Sequence, residues 1–451
     1  MRTFFQTNKI FQWRYLLKIY RFAITPFFLI LFTSSSVSAK ISDTLHLNKC
    51  IDLALKNYPL SQNAEGNVIS ALGNYLVNRS SFLPQLSFQS QTGESYPSSS
   101  SGKSAGGNQL SAQISNGLTF QQMIFDFGRT SAKVSASKSL WKSSMADSQN
   151  ASQNIIFTAI ASYFALAQAR AVEQLSIQAY NQSVQHLVQA KALYEAGRNV
   201  RYTMVRAQID TSSARLNLIR ARNSSILCKE QLAVVIAQPI PDSIILPDST
   251  FTNNAPVTYD SAYTIAIKNR SDLQSARLKV TSAEAQVKAA RTSYFPIISA
   301  SATGGYRYND QPTKTEAQYY SGNILLTIPL TTGGAVRGVI LQNEGNLEAA
   351  GSTVKMLEQS IQSDVRQQLA NIDEVTQRII LSQSMIEQSK LALDLAKERF
   401  SAGTGNNLEL IDAETGFTNS GMALIQARYD YAVANARFQK TLGTLKIPSE
   451  R

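Results

Sequence analysis

Little in this sequence can do covalent or metal chemistry, and the residues that could are badly placed for it. The two histidines, His46 and His186, and the two cysteines, Cys50 and Cys228, stand far apart and match no zinc, redox or nucleophile spacing. A histidine-centred catalytic or zinc site is therefore disfavoured, and both histidines are expected at the surface. The cysteines could pair with each other in an oxidising compartment, a question their spacing does not answer. No glycine-rich loop runs into Lys-Ser or Lys-Thr, so no phosphate cradle for a nucleotide is written here. Lacking any constellation of nucleophile, base and ligand, the sequence points to no enzyme, no cofactor and no metal site.

Residues 1–39 read as a Sec-type signal peptide, to be set aside before any fold is considered. Arg2, Lys9, Arg14, Lys18 and Arg21 precede an apolar run from Phe22 to Phe32, and Val37-Ser38-Ala39 supplies small residues for cleavage. The run falls short of the roughly 20 residues that a bilayer-spanning helix needs. A retained anchor is the alternative, favoured only by the long basic lead-in. Neither cysteine lies at the expected cleavage point, so a lipid-anchored amino terminus finds no support. Removing those five basic residues lowers the formal charge from +12 to +7. The remaining Lys and Arg are scattered among Gln, Ser and Ala, which is the pattern of solvated helix faces and implies no nucleic acid.

The rest of the chain is written twice. Ala54-Leu55-Lys56-Asn57 recurs as Ala266-Ile267-Lys268-Asn269, and Phe82-Leu83-Pro84 as Tyr294-Phe295-Pro296, both 212 residues on. Tyr194-Glu195-Ala196-Gly197 matches Phe400-Ser401-Ala402-Gly403, and Ala221-Arg222 matches Ala427-Arg428, both 206 residues on. One supersecondary unit is thus used twice, in a first repeat over 40–250 and a second over 251–451.

Each repeat opens with a short helix and closes with a long helical hairpin. No proline occurs between Pro97 and Pro239 or between Pro329 and Pro448, and from Arg129 to Ala196 there is no glycine either. At 1.5 Å per residue, a helix over 129–196 would be roughly 100 Å long. Ile156, Ala159, Tyr163, Leu166, Arg170, Glu173, Ile177, Tyr180, Val184, Leu187, Lys191 and Tyr194 alternate in steps of three and four, a mainly apolar coiled-coil seam. Gly197 stops this helix. A second, over 202–238, returns antiparallel with Val205, Ile209, Leu216, Ile219 and Ile226 on one stripe. The second repeat copies the hairpin over 336–402 and 408–442.

Between opening helix and hairpin the period changes to two. Leu86 and Phe88, then Leu110, Ala112, Ile114, Leu118 and Phe120, alternate with Gln, Ser and Thr. Ile298, Ala300, Ala302, Tyr306 and Tyr308 alternate with Ser299, Ser301, Thr303 and Arg307, and Tyr320, Ile324, Leu326 and Ile328 do so in the last strand. The expected strands are 85–93, 109–125, 297–308 and 319–330, joined by polar loops at Glu94–Gly107 and Asn309–Gln318. One apolar and one polar face is the pattern of a transmembrane barrel. The alternative is a soluble two-layer sheet covered by helices. Four strands cannot close a barrel, and an open edge in hydrocarbon leaves several kcal/mol of unpaired backbone. Copies of the chain must then share edges: two would leave little room inside, whereas three give twelve strands and an open lumen. Long rods with a seam of small residues bury little alone, so the helices too are expected to assemble into a tube.

Taken in order, these segments make the chain similar to the TolC-like outer-membrane efflux family, over essentially its whole length after residue 39. The resemblance rests on LNKCIDLALKNYPL (Leu47–Leu60), the junctions SFLPQLS and SYFPIIS, the junctions IFDFGR and PLTTGGAVRG, and the turns YEAGRNV and RFSAGTGNNLELIDA. None is specific alone; their recurrence in the same order in both halves is. The resemblance implies a mainly α fold with a transmembrane β part, a homotrimer whose twelve-stranded β-barrel sits in outer-membrane lipid above a periplasmic α-helical barrel. It further implies a periplasmic adaptor protein and, through it, an inner-membrane pump. The turns Ala196-Gly197-Arg198 and Ala402-Gly403-Thr404 would touch the adaptor, although each glycine also suits a plain helix C-cap. Glu409 and Asp412, spaced i, i+3 on one helix face, occupy the family's acidic positions after the second turn. As three copies they would make a cation-attracting constriction at the periplasmic gate; the alternative is two solvated carboxylates at a helix start. Thr203 stands where family members can carry an acid, and Gly405 where they can carry a base that locks the closed tip. A secreted coiled-coil stalk or adhesin without a pore is the competing function. It accounts for export and long helices but not for the strands or the repeat.

Overall fold

Proline and glycine set most of the element boundaries. The computed structural model describes residues 46–95, 111–240, 258–309, 314–402 and 404–446. The signal peptide expected at 1–39, Gly403 and, from the two polar strand loops, residues 96–107 and 310–313 lie outside the described residues. Two helices, α1 (Leu47–Asn57) and α2 (Pro59–Ser80), open the first half; strands β1 (Gln85–Ser95) and β2 (Ser111–Phe125) and helices α3 (Arg129–Glu195) and α4 (Arg201–Ile236) complete it. The second half runs through α5 (Tyr259–Asn269), α6 (Ser271–Arg291), a short turn of 3-10 helix, β3 (Ile297–Asn309), β4 (Thr315–Thr327), α7 (Ala335–Ser401) and α8 (Asn407–Thr441).

Three expectations need correction. The single opening helix of each half is two helices. Tyr58, at φ −68 and ψ 128, takes the extended backbone that a following proline imposes, and Arg270 breaks the second half similarly, at φ −66 and ψ 118, without a proline. Strand β4 starts earlier than 319 and stops at Thr327, since Pro329 has no N–H to extend the ladder. The stripe of α4 that packs on α3 is made of Ala207, Leu218, Ala221, Ser225 and Leu232, whereas Val205, Ile209, Leu216, Ile219 and Ile226 are all exposed.

The long helices lie in a row: α4 packs on α3, α3 on α8, and α8 on α7. Small residues allow the close approach. Around the middle of the rods, Ile51 and Ala54 of α1 meet Ile155, Ile156, Ala159 and Ile160 of α3 together with Ala436 and Leu445 from the chain's far end. A second core joins Ala262 and Ala266 of α5 with Leu273 of α6, Ile361 and Val365 of α7, Phe438 of α8 and Leu442 at its C-cap. The halves are thus interlocked, not strung together.

The strands form one antiparallel meander in the order β1-β2-β3-β4, so the two halves meet where β2 pairs with β3. Register puts Leu86, Phe120, Ala302 and Gly322 in one cross-strand row and Phe88, Leu118, Gly304 and Tyr320 in the next. Leu86, Phe88, Leu118 and Ile324 on this face are exposed, as are both outer strands, and among the described residues no helix packs over them.

Candidate functional site

Each 67-residue helix carries the chain from the sheet to a turn at the far end of the rods. At the first turn the Arg198 amide donates to the Leu193 carbonyl at 2.9 Å and the Gly197 amide to Tyr194 at 2.9 Å. Gly197 sits at φ +70, so this is a helix cap that needs a left-handed residue. At the second turn the amides of Thr404 and Gly405 both donate to the Arg399 carbonyl, at 3.0 and 2.8 Å. A Cβ on Gly405 would lie 2.8 Å from the Phe400 nitrogen, which explains a glycine where a basic side chain could otherwise stand. Asn406 then caps α8, its side-chain oxygen accepting from the Leu408 amide at 3.2 Å.

Glu409 lies in the first turn of α8 and pairs with Arg399 across the same hairpin, at 3.1 Å. Both groups are well exposed, so the pair adds little stability. Asp412 is exposed one turn further along. Ala196, Gly197, Arg198, Ala402 and Thr404 form exposed or half-buried turn surface.

Other polar centres escaped the sequence reading because each depends on packing between distant segments. His186 was expected at the surface, yet its side chain is only 18% exposed: its Nε2 is 2.8 Å from Glu414 on α8, which Gln182 of α3 also contacts. The group ties the first hairpin to the second about ten residues above the turns. At the α5–α6 break, Arg270 holds Asp272 at 2.7 Å and Asp364 at 3.0 Å. Burial works against both charges there, but the hydrogen bonds and charge pairing outweigh it, so Arg270 is raised and Asp272 held below the usual carboxylate range. Cys50 and Cys228 are both free thiols. Burial pushes Cys50 up to about 12, too far to make it a nucleophile. Among the described residues, no three His, Cys, Asp or Glu side chains come together as a metal site would require.

The sheet's other face carries Gln, Ser, Thr and Asn, with Arg307 above the ring of Tyr319 at 5.4 Å. Bulky aromatics crowd the end of the sheet where it joins the helices. Phe127 stacks on Phe295 at 5.1 Å and meets Phe125 edge-on at 4.7 Å, beside exposed Phe82 and Tyr294. Tyr306, Tyr308 and Tyr320 lie toward the opposite end, on the apolar face.

The family model described as "Outer membrane efflux protein" matches residues 50–237 and 262–444, one block in each half. The chain is 27% identical over 384 residues to outer membrane protein TolC of Escherichia coli, covering 81% of this chain and 76% of that one. It is 22% identical over 434 residues to alkaline protease secretion protein AprF of Pseudomonas aeruginosa, covering 93% and 87%. Its fold matches the CmeC outer membrane channel of Campylobacter jejuni with a TM-score of 0.78 at 19% identity, over 95% of this chain and 96% of that one. The chain belongs to the outer membrane efflux protein family. It is an outer-membrane protein of efflux and secretion systems, and the reading as a pore-free stalk or adhesin has no support among these relatives.

Proposed function

We propose that this chain is one of three identical subunits of a passive duct, which conducts cargo from the periplasmic side across the outer membrane and catalyses nothing. The observation that carries the reading is that both parts of the fold stop at the same kind of unfinished edge. The row of rods ends in α4 and α7, and both bear large exposed apolar side chains, Val205, Ile209, Leu216, Ile219 and Ile226 on one and Leu341, Met356, Leu381, Leu391 and Leu395 on the other. The sheet ends in β1 and β4, whose outward backbone groups would each cost several kcal/mol unpaired in hydrocarbon. Joining copies edge to edge satisfies both. Three copies give twelve strands and an open lumen, with the apolar face turned to lipid between the two aromatic belts and the polar face inward. The rods then form an α-helical barrel reaching into the periplasm.

The remaining assignments follow from that geometry and the family's biology. Residues 1–39 serve as the export signal, and 40–250 and 251–451 are the two structural repeats. Ala196, Gly197, Arg198, Ala402, Gly403 and Thr404 form the tips that a periplasmic adaptor packs against, and an inner-membrane pump supplies the energy through it. Glu409 and Asp412, six carboxylates in three copies, form the periplasmic constriction, where mutual repulsion is relieved by cations. Opening proceeds by outward untwisting of the helices at the tip, which must strain the His186–Glu414 tie. The experiment is single-channel recording in planar bilayers on the trimer extracted from outer membranes. Glu409→Ala with Asp412→Ala should lower cation over anion permeability several-fold; unchanged selectivity would remove the gate assignment, and a pore-free monomer would remove the duct.

A further inference from the structure

The polar face of the sheet is almost free of charge, and the exception is built into the fold. Along β1 and β2 this face presents Gln85, Ser87, Gln89, Gln91 and then Gln113, Ser115, Thr119 and Gln121. Along β3 and β4 it presents Ser301, Thr303, Gly305 and Arg307, then Tyr319, Ser321 and Asn323. Glu94 and Glu316 alternate to the opposite face. Arg307 is therefore the lone ionised side chain on the polar face of the described strands, and among the described residues no carboxylate pairs with it.

Its setting is specific. One row below it, register aligns Gln89, Gly117, Gly305 and Tyr319 across the four strands. A Cβ on Gly305 would stand 2.7 Å from the Tyr319 hydroxyl oxygen, and one on Gly117 closer still. Only glycine at both positions lets the half-buried Tyr319 ring reach across β3 to β2. That ring supports the guanidinium from one side, its centroid 5.4 Å from the guanidinium carbon. The row of Arg307 itself offers Gln91, Ser115 and Ala317, none of which can neutralise it. The fork of donors is left exposed, with no carboxylate on it among the described residues. Arg307 lies two residues before the end of β3, at the loop end of the sheet, opposite the helices.

We infer that Arg307 and Tyr319 form an anion-recognition ring inside the duct near its outer mouth, selective for organic anions that carry carboxylates on a flat ring. The inference rests on the trimeric-duct reading, because only three copies bring the guanidiniums onto one level around a common lumen. Guanidinium pairs with carboxylate through two parallel hydrogen bonds, the Tyr319 ring offers a face to an aromatic body, and a wall of low dielectric focuses the field of the three charges. Cargo leaving through the cation-attracting tip would thus meet the opposite charge at the exit.

The test uses the full-length trimer in detergent, its stoichiometry checked first by native mass spectrometry, with benzene-1,3,5-tricarboxylate as the probe in titration calorimetry. Binding should be present and weaken as salt is raised, and Arg307→Gln should weaken it about tenfold, the loss of roughly one charge-assisted hydrogen bond. Arg307→Lys keeps the charge without the planar fork and should fall between, as should Tyr319→Leu. In bilayers the same probe should block from the loop side and not from the helix side. Absent binding, or binding that Arg307→Gln leaves unchanged in an intact trimer, overturns the inference while the duct stands. A wild-type protein that is monomeric by mass spectrometry overturns the duct and the ring with it.

Discussion

Helices α2 and α6 occupy the same place in the two repeats, yet one is buried and the other bare. Helix α6 packs against both α3 and α7 and buries nine of its residues, among them Leu273, Ala283, Val287 and Ala289. Helix α2 packs on α3, with Tyr75 stacked on Trp141, and buries none. Composition does not explain this, since α2 carries Ile69, Leu72, Leu76 and Val77. What differs is the neighbourhood. Helix α6 lies between the long helix of the preceding repeat and that of its own, whereas α2 has only the long helix of its own repeat beside it among the described residues. In the proposed trimer the α7 of another copy would supply that support, and the intrachain contacts of α6 map onto those α2 would make between copies.

The largest test of this comparison is a charge at equivalent positions. Ala289 is buried and Val77, its counterpart 212 residues earlier, is exposed. Ala289→Asp should unfold or strongly destabilise the chain, by roughly 3 kcal/mol or more for a buried unpaired charge. Val77→Asp should leave the helix content of the protomer intact by circular dichroism while abolishing the trimer on native gels. Equal loss of fold in both variants would break the comparison.

A second test sharpens it to single contacts. Ser143 and Ser275 join α3 to α6 through their hydroxyls at 2.9 Å. The repeat offsets carry this pair to Asn63 on α2 and Ala349 on α7. With Cys50 and Cys228 replaced by serine, Ser143→Cys with Ser275→Cys should close a disulfide within one chain. Asn63→Cys with Ala349→Cys should instead give covalent dimers and trimers on non-reducing gels.

A smaller effect distinguishes the halves by acid. The Arg270–Asp272–Asp364 group has no counterpart in the first half, where Tyr58, Leu60 and Thr158 stand at the equivalent positions. Asp272 is held below its ordinary 3.8, so it contributes stability above that value that is lost as pH falls through the lower folded value. Asp272→Asn should cost about 1–2 kcal/mol near neutral pH after allowing for partial exposure, and the cost should vanish in strong acid. Urea titrations across pH 2 to 7 would check it, and a cost independent of pH would remove the ion-pair explanation.

The same contrast explains what the sequence disclosed and what it withheld. Helix α3 was legible because its 67 residues contain neither proline nor glycine, and β1 to β3 because apolar or aromatic residues alternate with polar ones along much of each strand. The packed face of α4 was not legible. Reading by size picks Val205, Ile209 and Ile226, yet two rods can come close only through Ala207, Ala221 and Ser225, and the large residues stay exposed. At the candidate site the first turn was legible from Gly197, which ends a long helix, whereas Glu409 and Asp412 were reached only through the family resemblance. The Arg399–Glu409 pair, the His186–Glu414 tie and the Arg307–Tyr319 stack were not legible, since each joins segments that only folding brings together.

One consequence follows from the pairing of β2 with β3, where the two repeats meet inside a single chain in the same antiparallel sense as within each hairpin, with a bulge at Met123 to Phe125. A peptide link there does what a collision would otherwise have to do. For the proposed trimer, half-length chains would need more than twice as many encounters at the dilute concentrations outside the inner membrane, each with its own entropy of association to overcome. Tethering also lets the two halves drift apart in sequence, so that one turn can keep Arg198 while the other keeps its acidic neighbours. A ring of identical half-chains could never be given two kinds of tip.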